Sequence, residues 1–227
     1  MLPDNADRGT ISGPVRAPTW EARVSWSTRA TGALAVVCFL FTASAAAQGI
    51  RARFGVAVGM AVPTGDYHAA ASGEGFTPGW QGVALVAFTK PAWPVGLRVD
   101  GTYGTNGAND RLKADLTASV GQPSDEETKL VGANVDLTYP VGSTSRVQPY
   151  VLGGIGAYHT TISVTSGGST ASSSETKVAW NLGGGILYRI RGAELFLEAR
   201  YIHVAAVSDF PKTAFLPIAA GIRLGGG

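Results

Sequence analysis

Beyond residue 50, apolar and polar positions alternate with a period of two along most of the chain, the pattern of strands with one apolar face. The clearest case is about Arg51–Val62. Ala52, Phe54, Val56, Val58, Met60 and Val62 share one face; Arg51, Arg53, Gly55, Ala57, Gly59 and Ala61 share the other. The same rhythm predicts strands over about Gly79–Phe88, Val95–Tyr103, Lys129–Tyr139, Val147–His159, Thr176–Tyr188, Ala193–His203 and Ala214–Leu224. In the third, Val95, Leu97, Val99 and Tyr103 oppose Arg98, Asp100 and Thr102. In the fourth, Val131, Ala133, Val135, Leu137 and Tyr139 oppose Asn134, Asp136 and Thr138. Val178, Trp180, Leu182, Ile186 and Tyr188 share a face of the sixth. Leu195, Leu197, Ala199 and Tyr201 of the seventh oppose Glu194, Glu198 and Arg200, and the eighth sets Leu216, Ile218, Ala220, Ile222 and Leu224 against Pro217, Gly221 and Arg223. The second and fifth alternate less cleanly, and their facing stays open.

The connections follow a second rhythm. Pro63–Pro78, Gly104–Thr128, Thr160–Glu175 and Val204–Lys212 are long or medium; Thr89–Pro94, Pro140–Arg146 and Arg189–Gly192 are short. An even number of strands joined by long loops and short turns in alternation is the plan of a membrane barrel, with extracellular loops and periplasmic turns. Both termini then lie at the short-turn end. With the aliphatic face toward lipid, Arg53, Arg98, Asp100, Asp136, Glu198 and Arg200 point inward. A soluble eight-stranded barrel would turn the same charges out into water, and periodicity alone does not separate the two. Tyr139, Tyr150, Tyr158, Trp180, Tyr188 and Tyr201 fall near strand ends, where interfacial aromatic girdles belong. They favour the membrane. The expected fold is all-β: a single eight-stranded antiparallel transmembrane up-and-down β-barrel over residues 48–227.

Upstream lies a different pattern. Arg29 precedes an apolar run, Ala33–Phe41, inside the stretch Thr31–Ala47. The run is too short to span a bilayer, which takes about 20 apolar residues. Ala45-x-Ala47 supplies small residues at a cleavage site, so residues 1–47 read as leader and signal peptide, with the mature start near Gln48. Cys38, the single cysteine of the sequence, would leave with the signal. The mature chain would then have no disulfide, no thiol nucleophile and no cysteine metal site.

From Gln48 onward, 14 Lys/Arg stand against 13 Asp/Glu, which excludes the clustered basic excess of a nucleic-acid binder. Glycine recurs within strand-like segments, as in Gly153-Gly154-Ile155-Gly156 and Gly183-Gly184-Gly185. There it permits tight curvature and close approach. No phosphate loop or dinucleotide fingerprint appears; neither cofactor nor metal site is expected. His159, Ser163 and Glu175 lie around one polar loop, a weak coincidence in a Ser/Thr-rich segment. His68 stands beside Asp66 without a ligand cluster. Asp110, Asp115 and Asp125-Glu126-Glu127 either form a solvated loop or hold divalent cations that bridge lipopolysaccharide.

An eight-stranded barrel leaves a lumen only wide enough for side chains. Arg98, Arg200 and Arg223 can meet Asp100, Asp136 and Glu198 across it, since unpaired charge there is costly. The expectation is a closed, salt-bridged lumen; the alternative is an ion or proton pathway along the same residues.

The segments Phe54–Tyr67, Val95–Gly104, Val147–His159, Leu195–His203 and Phe215–Leu224 give the chain from about Gln48 its resemblance to the small outer-membrane β-barrel proteins, OmpA/OmpX-like in the broad sense. The resemblance implies insertion in the outer membrane among its lipids and lipopolysaccharide, through the barrel-assembly machinery. It implies a structural or adhesive role, with any ligand met by the extracellular loops. A small passive porin and a lipid-modifying enzyme are the alternatives. Lipid A deacylases among such barrels carry a His-x-Ser pair on a late strand; here His203 is followed at the nucleophile position by Ala205. Such barrels also close on a terminal aromatic residue read by the assembly machinery. This chain departs from that with Ile222-Arg223-Leu224-Gly225-Gly226-Gly227.

Overall fold

The computed structural model describes residues 49–69, 72–142, 146–205 and 213–225. The expected signal peptide and its cleavage site lie outside these residues. The strands are β1 (Arg51–Thr64), β2 (Gly79–Thr89), β3 (Gly96–Gly107), β4 (Ser124–Pro140), β5 (Val147–Ser166), β6 (Ser169–Ile190), β7 (Ala193–Val204) and β8 (Thr213–Gly225). Each pairs antiparallel with the next, and β1 closes on β8 with Arg53 opposite Gly225 and Thr64 opposite Ala214. The sheet therefore has no lateral edge through the barrel wall, as a lipid-immersed sheet requires.

The outward face is the apolar one. Phe54, Val56, Met60, Ile155, Leu182 and Leu197 are exposed, and Val58 reaches 71%. Aromatic side chains mark both rims. Trp80 packs on Tyr103 (ring centroids 5.4 Å apart) and Trp180 on Tyr201 (5.6 Å) toward the long loops; exposed Tyr139, Tyr188 and Trp93 lie toward the short turns. From Trp180 to Tyr188 the strand rises about 26 Å at roughly 3.3 Å per residue. At a tilt of roughly 40° that is about 20 Å along the membrane normal, close to the ~25 Å apolar band of such barrels.

Two girdle assignments are corrected. Tyr150 and Tyr158 are 5% and 1% exposed and lie inside the barrel. On β5 the even positions Gln148, Tyr150, Leu152 and Tyr158 point inward. Glycines at 153, 154 and 156 occupy both faces of that strand and erase the contrast that would reveal its facing.

Two loops hold more structure than alternation predicts. Within Gly104–Thr128 lies a helix, α1 (Asp110–Val120). The Asn109 side chain accepts from the Leu112 N–H at 2.9 Å, an N-cap. Gly121 ends the helix at φ 75°, where its N–H reaches the Thr117 carbonyl. Instead of a loop over Thr160–Glu175, β5 and β6 run on as a ladder to Ser166 and Ser169. Gly167 and Gly168, at φ 55° and 81°, turn the chain, the backbone of a two-residue hairpin. β6 pairs with β7 only from Ala179 onward, so the outer part of this hairpin extends past β7. Its Ser/Thr faces pair across the strands, Ser163 with Ser172 at 2.9 Å and Thr165 with Thr170 at 3.0 Å.

Candidate functional site: the lumen and its short-turn mouth

Two clusters of packed side chains bracket the middle of the lumen. Ala57, Leu85, Ala87, Leu152, Leu187 and Phe196 pack with Tyr150 toward the short turns. Leu130, Ile202, Val204 and Phe215 pack with Tyr158 toward the long loops. A one-turn 3-10 helix, Gly65–Tyr67, sets Tyr67 over this second cluster, with Phe76 against it at 4.9 Å. Burial at this end holds the Tyr67 hydroxyl and the Glu126 carboxyl above their ordinary ranges.

Arg98, Asp100, Asp136, Glu198 and Arg200 meet between the clusters. Arg200 reaches three carboxylates: Nε to Glu198 at 2.6 Å, Nη2 to Asp100 at 2.8 Å and Nη1 to Asp136 at 3.0 Å. Arg98 bridges Glu198 at 2.6 Å and Asp100 at 3.0 Å. Asp136 is 0% exposed and Arg98 1%. Carboxylates outnumber guanidiniums in this layer, and neutral donors meet the excess. Asn134 donates to Asp100 at 3.0 Å, Asn181 to Asp136 at 2.7 Å and the Tyr150 hydroxyl to Glu198 at 2.5 Å. A carboxylate kept dry needs donors at its remaining lone pairs.

The backbone makes room for these groups. A Cβ at Gly154 would collide with the Val135 carbonyl and the Asp136 carboxylate. One at Gly185 would stand 2.5 Å from the Leu197 carbonyl and 2.7 Å from the Tyr150 ring. Strand glycines here give up their space to large polar neighbours. Opposite Arg200 and Tyr201 the β7–β8 ladder is interrupted, at Pro217, which has no N–H to give.

Arg223 departs from the sequence expectation. It joins Glu194, not the central layer, at 3.2 Å. Its guanidinium lies 5.7 Å from the Phe196 ring, and the Arg98 guanidinium lies 5.9 Å from the same ring. Arg189 and Arg53 also approach Glu194, at 3.4 and 3.6 Å. Arg189 further donates to the Gln148 side chain. Together these residues line a cavity of about 500 Å³ at the short-turn mouth. Sequence reading missed this cluster. Its signal was the gathering of arginines at strand ends beside the short turns.

The model of the outer membrane protein beta-barrel domain matches residues 33–220. The chain belongs to this family. A major outer membrane protein from Thermus thermophilus has the same fold: TM-score 0.54 and 15% identity, over 76% of this chain and 99% of that one. Neisserial surface protein A gives a TM-score of 0.49 at 19% identity, over 78% and 96%. The N-terminal β-barrel domain of Pseudomonas aeruginosa OprF gives 0.41 at 15%, over 76% and 97%. No curated protein matches the sequence.

The other sequence candidates do not assemble in this outer membrane barrel. His159 and Ser163 lie on one strand, about 13 Å apart at roughly 3.3 Å per residue. His159 Nδ1 instead meets Thr176 Oγ1 at 2.9 Å. His203 stacks against Trp180 and Tyr201 at the rim. Asp125 pairs with Lys113 at 3.3 Å and Glu127 with Lys129 at 3.6 Å. Among the described residues, no group of three or more His, Cys, Asp or Glu is placed to hold a metal ion.

Proposed function

We propose that this barrel is a sealed, structural component of the outer membrane whose long-loop end meets partners outside the cell. The observation that carries the reading is the five-residue network of Arg98, Asp100, Asp136, Glu198 and Arg200, packed between two apolar layers. An ion crossing the lumen would have to displace Arg200 from three carboxylates at once, and breaking a buried pair costs about 3–5 kcal/mol. In this reading residues 1–47 are leader and signal, removed near Ala47, and residues 48–227 are the barrel. The assembly machinery inserts it among outer-membrane lipids and lipopolysaccharide. The short turns face the periplasm, and α1 with the β5–β6 hairpin faces outward. The role is non-enzymatic: His203 has Ala205 where a nucleophile would stand, and His159 is spent on Thr176.

The test is solute flux through the folded barrel in liposomes. Halide and small-sugar entry should match that of empty vesicles. Entry that rises with the protein-to-lipid ratio would replace this reading with a small porin.

A further inference from the structure

The cavity at the short-turn mouth has a composition unlike the rest of the lumen. Arg51, Arg53, Lys90, Arg189 and Arg223 line it, and Glu194 is the one carboxylate among its described lining residues. Glu194 is shared by three guanidiniums at 3.2 to 3.6 Å, long for charge-assisted bonds, which favour about 2.7–2.9 Å. One carboxylate cannot neutralise this many cations. Arg223 is only 8% exposed and is held beside Glu194 at 3.2 Å.

We propose that this cavity binds a phosphate ester, with Arg223, Arg53 and Arg189 as the residues that hold its oxygens. Guanidinium forks match phosphate geometry and stay charged at any physiological pH. The volume, about 500 Å³, falls within the usual range for small-ligand pockets, about 300–1,000 Å³, and exceeds what a bare inorganic ion fills. It suits a phosphate carrying a glycerol-sized group. Trp93 and Lys90 form one wall, with the ammonium 5.9 Å from the indole ring. Such a pair belongs at a membrane interface, where anionic phospholipid headgroups lie; a soluble phosphate ester offers the same chemistry. The site works whether or not the lumen conducts.

The test uses the folded barrel in phosphatidylcholine nanodiscs. One arm titrates glycerol 3-phosphate and inorganic phosphate, read by phosphorus NMR line width. The other dopes the nanodisc with phosphatidylglycerol and reads retained lipid by native mass spectrometry. Binding is expected in at least one arm. Retained phosphatidylglycerol alone identifies a headgroup site, and titratable glycerol 3-phosphate alone a soluble-ester site. Arg223→Met should weaken binding about tenfold or more. Glu194→Gln should strengthen it several-fold, because it removes the competing carboxylate and keeps an acceptor for Arg223. This second variant keeps the test decisive if the first fails to fold. The proposal is overturned if the wild-type barrel binds in neither arm, or if Glu194→Gln weakens binding or leaves it unchanged.

Discussion

Two arginine–carboxylate clusters stand along one lumen in opposite proportions. In the middle, Arg98 and Arg200 are enclosed by Asp100, Asp136 and Glu198, with Asn134, Asn181 and Tyr150 donating to the surplus charge. Contacts there are 2.5 to 3.0 Å and the side chains are buried. At the short-turn mouth the ratio inverts: Arg53, Arg189 and Arg223 crowd Glu194 at longer range beside an open cavity. The same residue types thus build two clusters of opposite charge excess along one lumen. The difference lies in which charge is in excess, carboxylates at the centre and guanidiniums at the mouth, and in how closely the partners approach.

A charge separation along the barrel axis frames this contrast. Arg51, Arg53, Lys90, Arg146, Arg189, Arg191 and Arg223 gather toward the short turns with Glu194. Asp66, Glu74, Asp110, Asp115, Asp125, Glu126, Glu127 and Glu175 gather toward the long loops, against Arg111, Lys113, Lys129 and Lys177. Near-zero net charge concealed a strongly dipolar arrangement.

The largest effect should come from the centre. Arg200→Met leaves Asp100 and Asp136 without their shared partner and should cost about 3–5 kcal/mol in urea unfolding from vesicles. A loss below about 1 kcal/mol would mean that the network is ornamental. Next, Gly185→Ala drives a methyl into Tyr150 and the Leu197 carbonyl. It should cost about 1–3 kcal/mol, and the same unfolding assay reads it. Glu194→Gln should shift stability by less than about 1 kcal/mol, a change that fades in high salt, because Arg53 and Arg189 are partly hydrated. A cost as large as that of Arg200→Met would make the mouth a structural lock and erase the contrast. The smallest effect belongs to the projecting hairpin. Ser163→Cys should leave unfolding unchanged within about 0.5 kcal/mol. On intact cells it should react with a membrane-impermeant maleimide; protection from the reagent would put this end on the periplasmic side.

The membrane-spanning part of the fold was legible because lipid enforces the alternation. Each strand that touches lipid must keep Val56, Leu137 or Leu197 out and Asp136 or Glu198 in, and that constraint is written directly as period two. Above the membrane the constraint lapses. Thr160–Ser166 and Ser169–Glu175 read as loop because a strand wet on its outer face needs no apolar side. Their signal was the Gly167-Gly168 pair between β-branched and hydroxyl residues. Helix α1 was signalled only by its caps, Asn109 and Gly121. The central charges were visible as inward residues on neighbouring strands. Their neutral donors Asn181 and Tyr150 were not, since nothing local says which hydroxyl or amide meets which carboxylate. Arg223 was assigned to the wrong cluster because the β7–β8 register, which sets it opposite Glu194, does not appear in any single strand.

The claim that the central network seals the lumen is tested most directly by single-channel recording of the folded barrel in a planar bilayer. Folding is first established by a heat-modifiable band on a gel. The account predicts no discrete conductance from wild type, and conductance appearing only when the layer is opened, as in Glu198→Gln or Arg200→Met barrels that still fold. Reproducible conductance steps from the wild-type barrel would contradict it and make Arg98, Asp100, Asp136, Glu198 and Arg200 the lining of a pore.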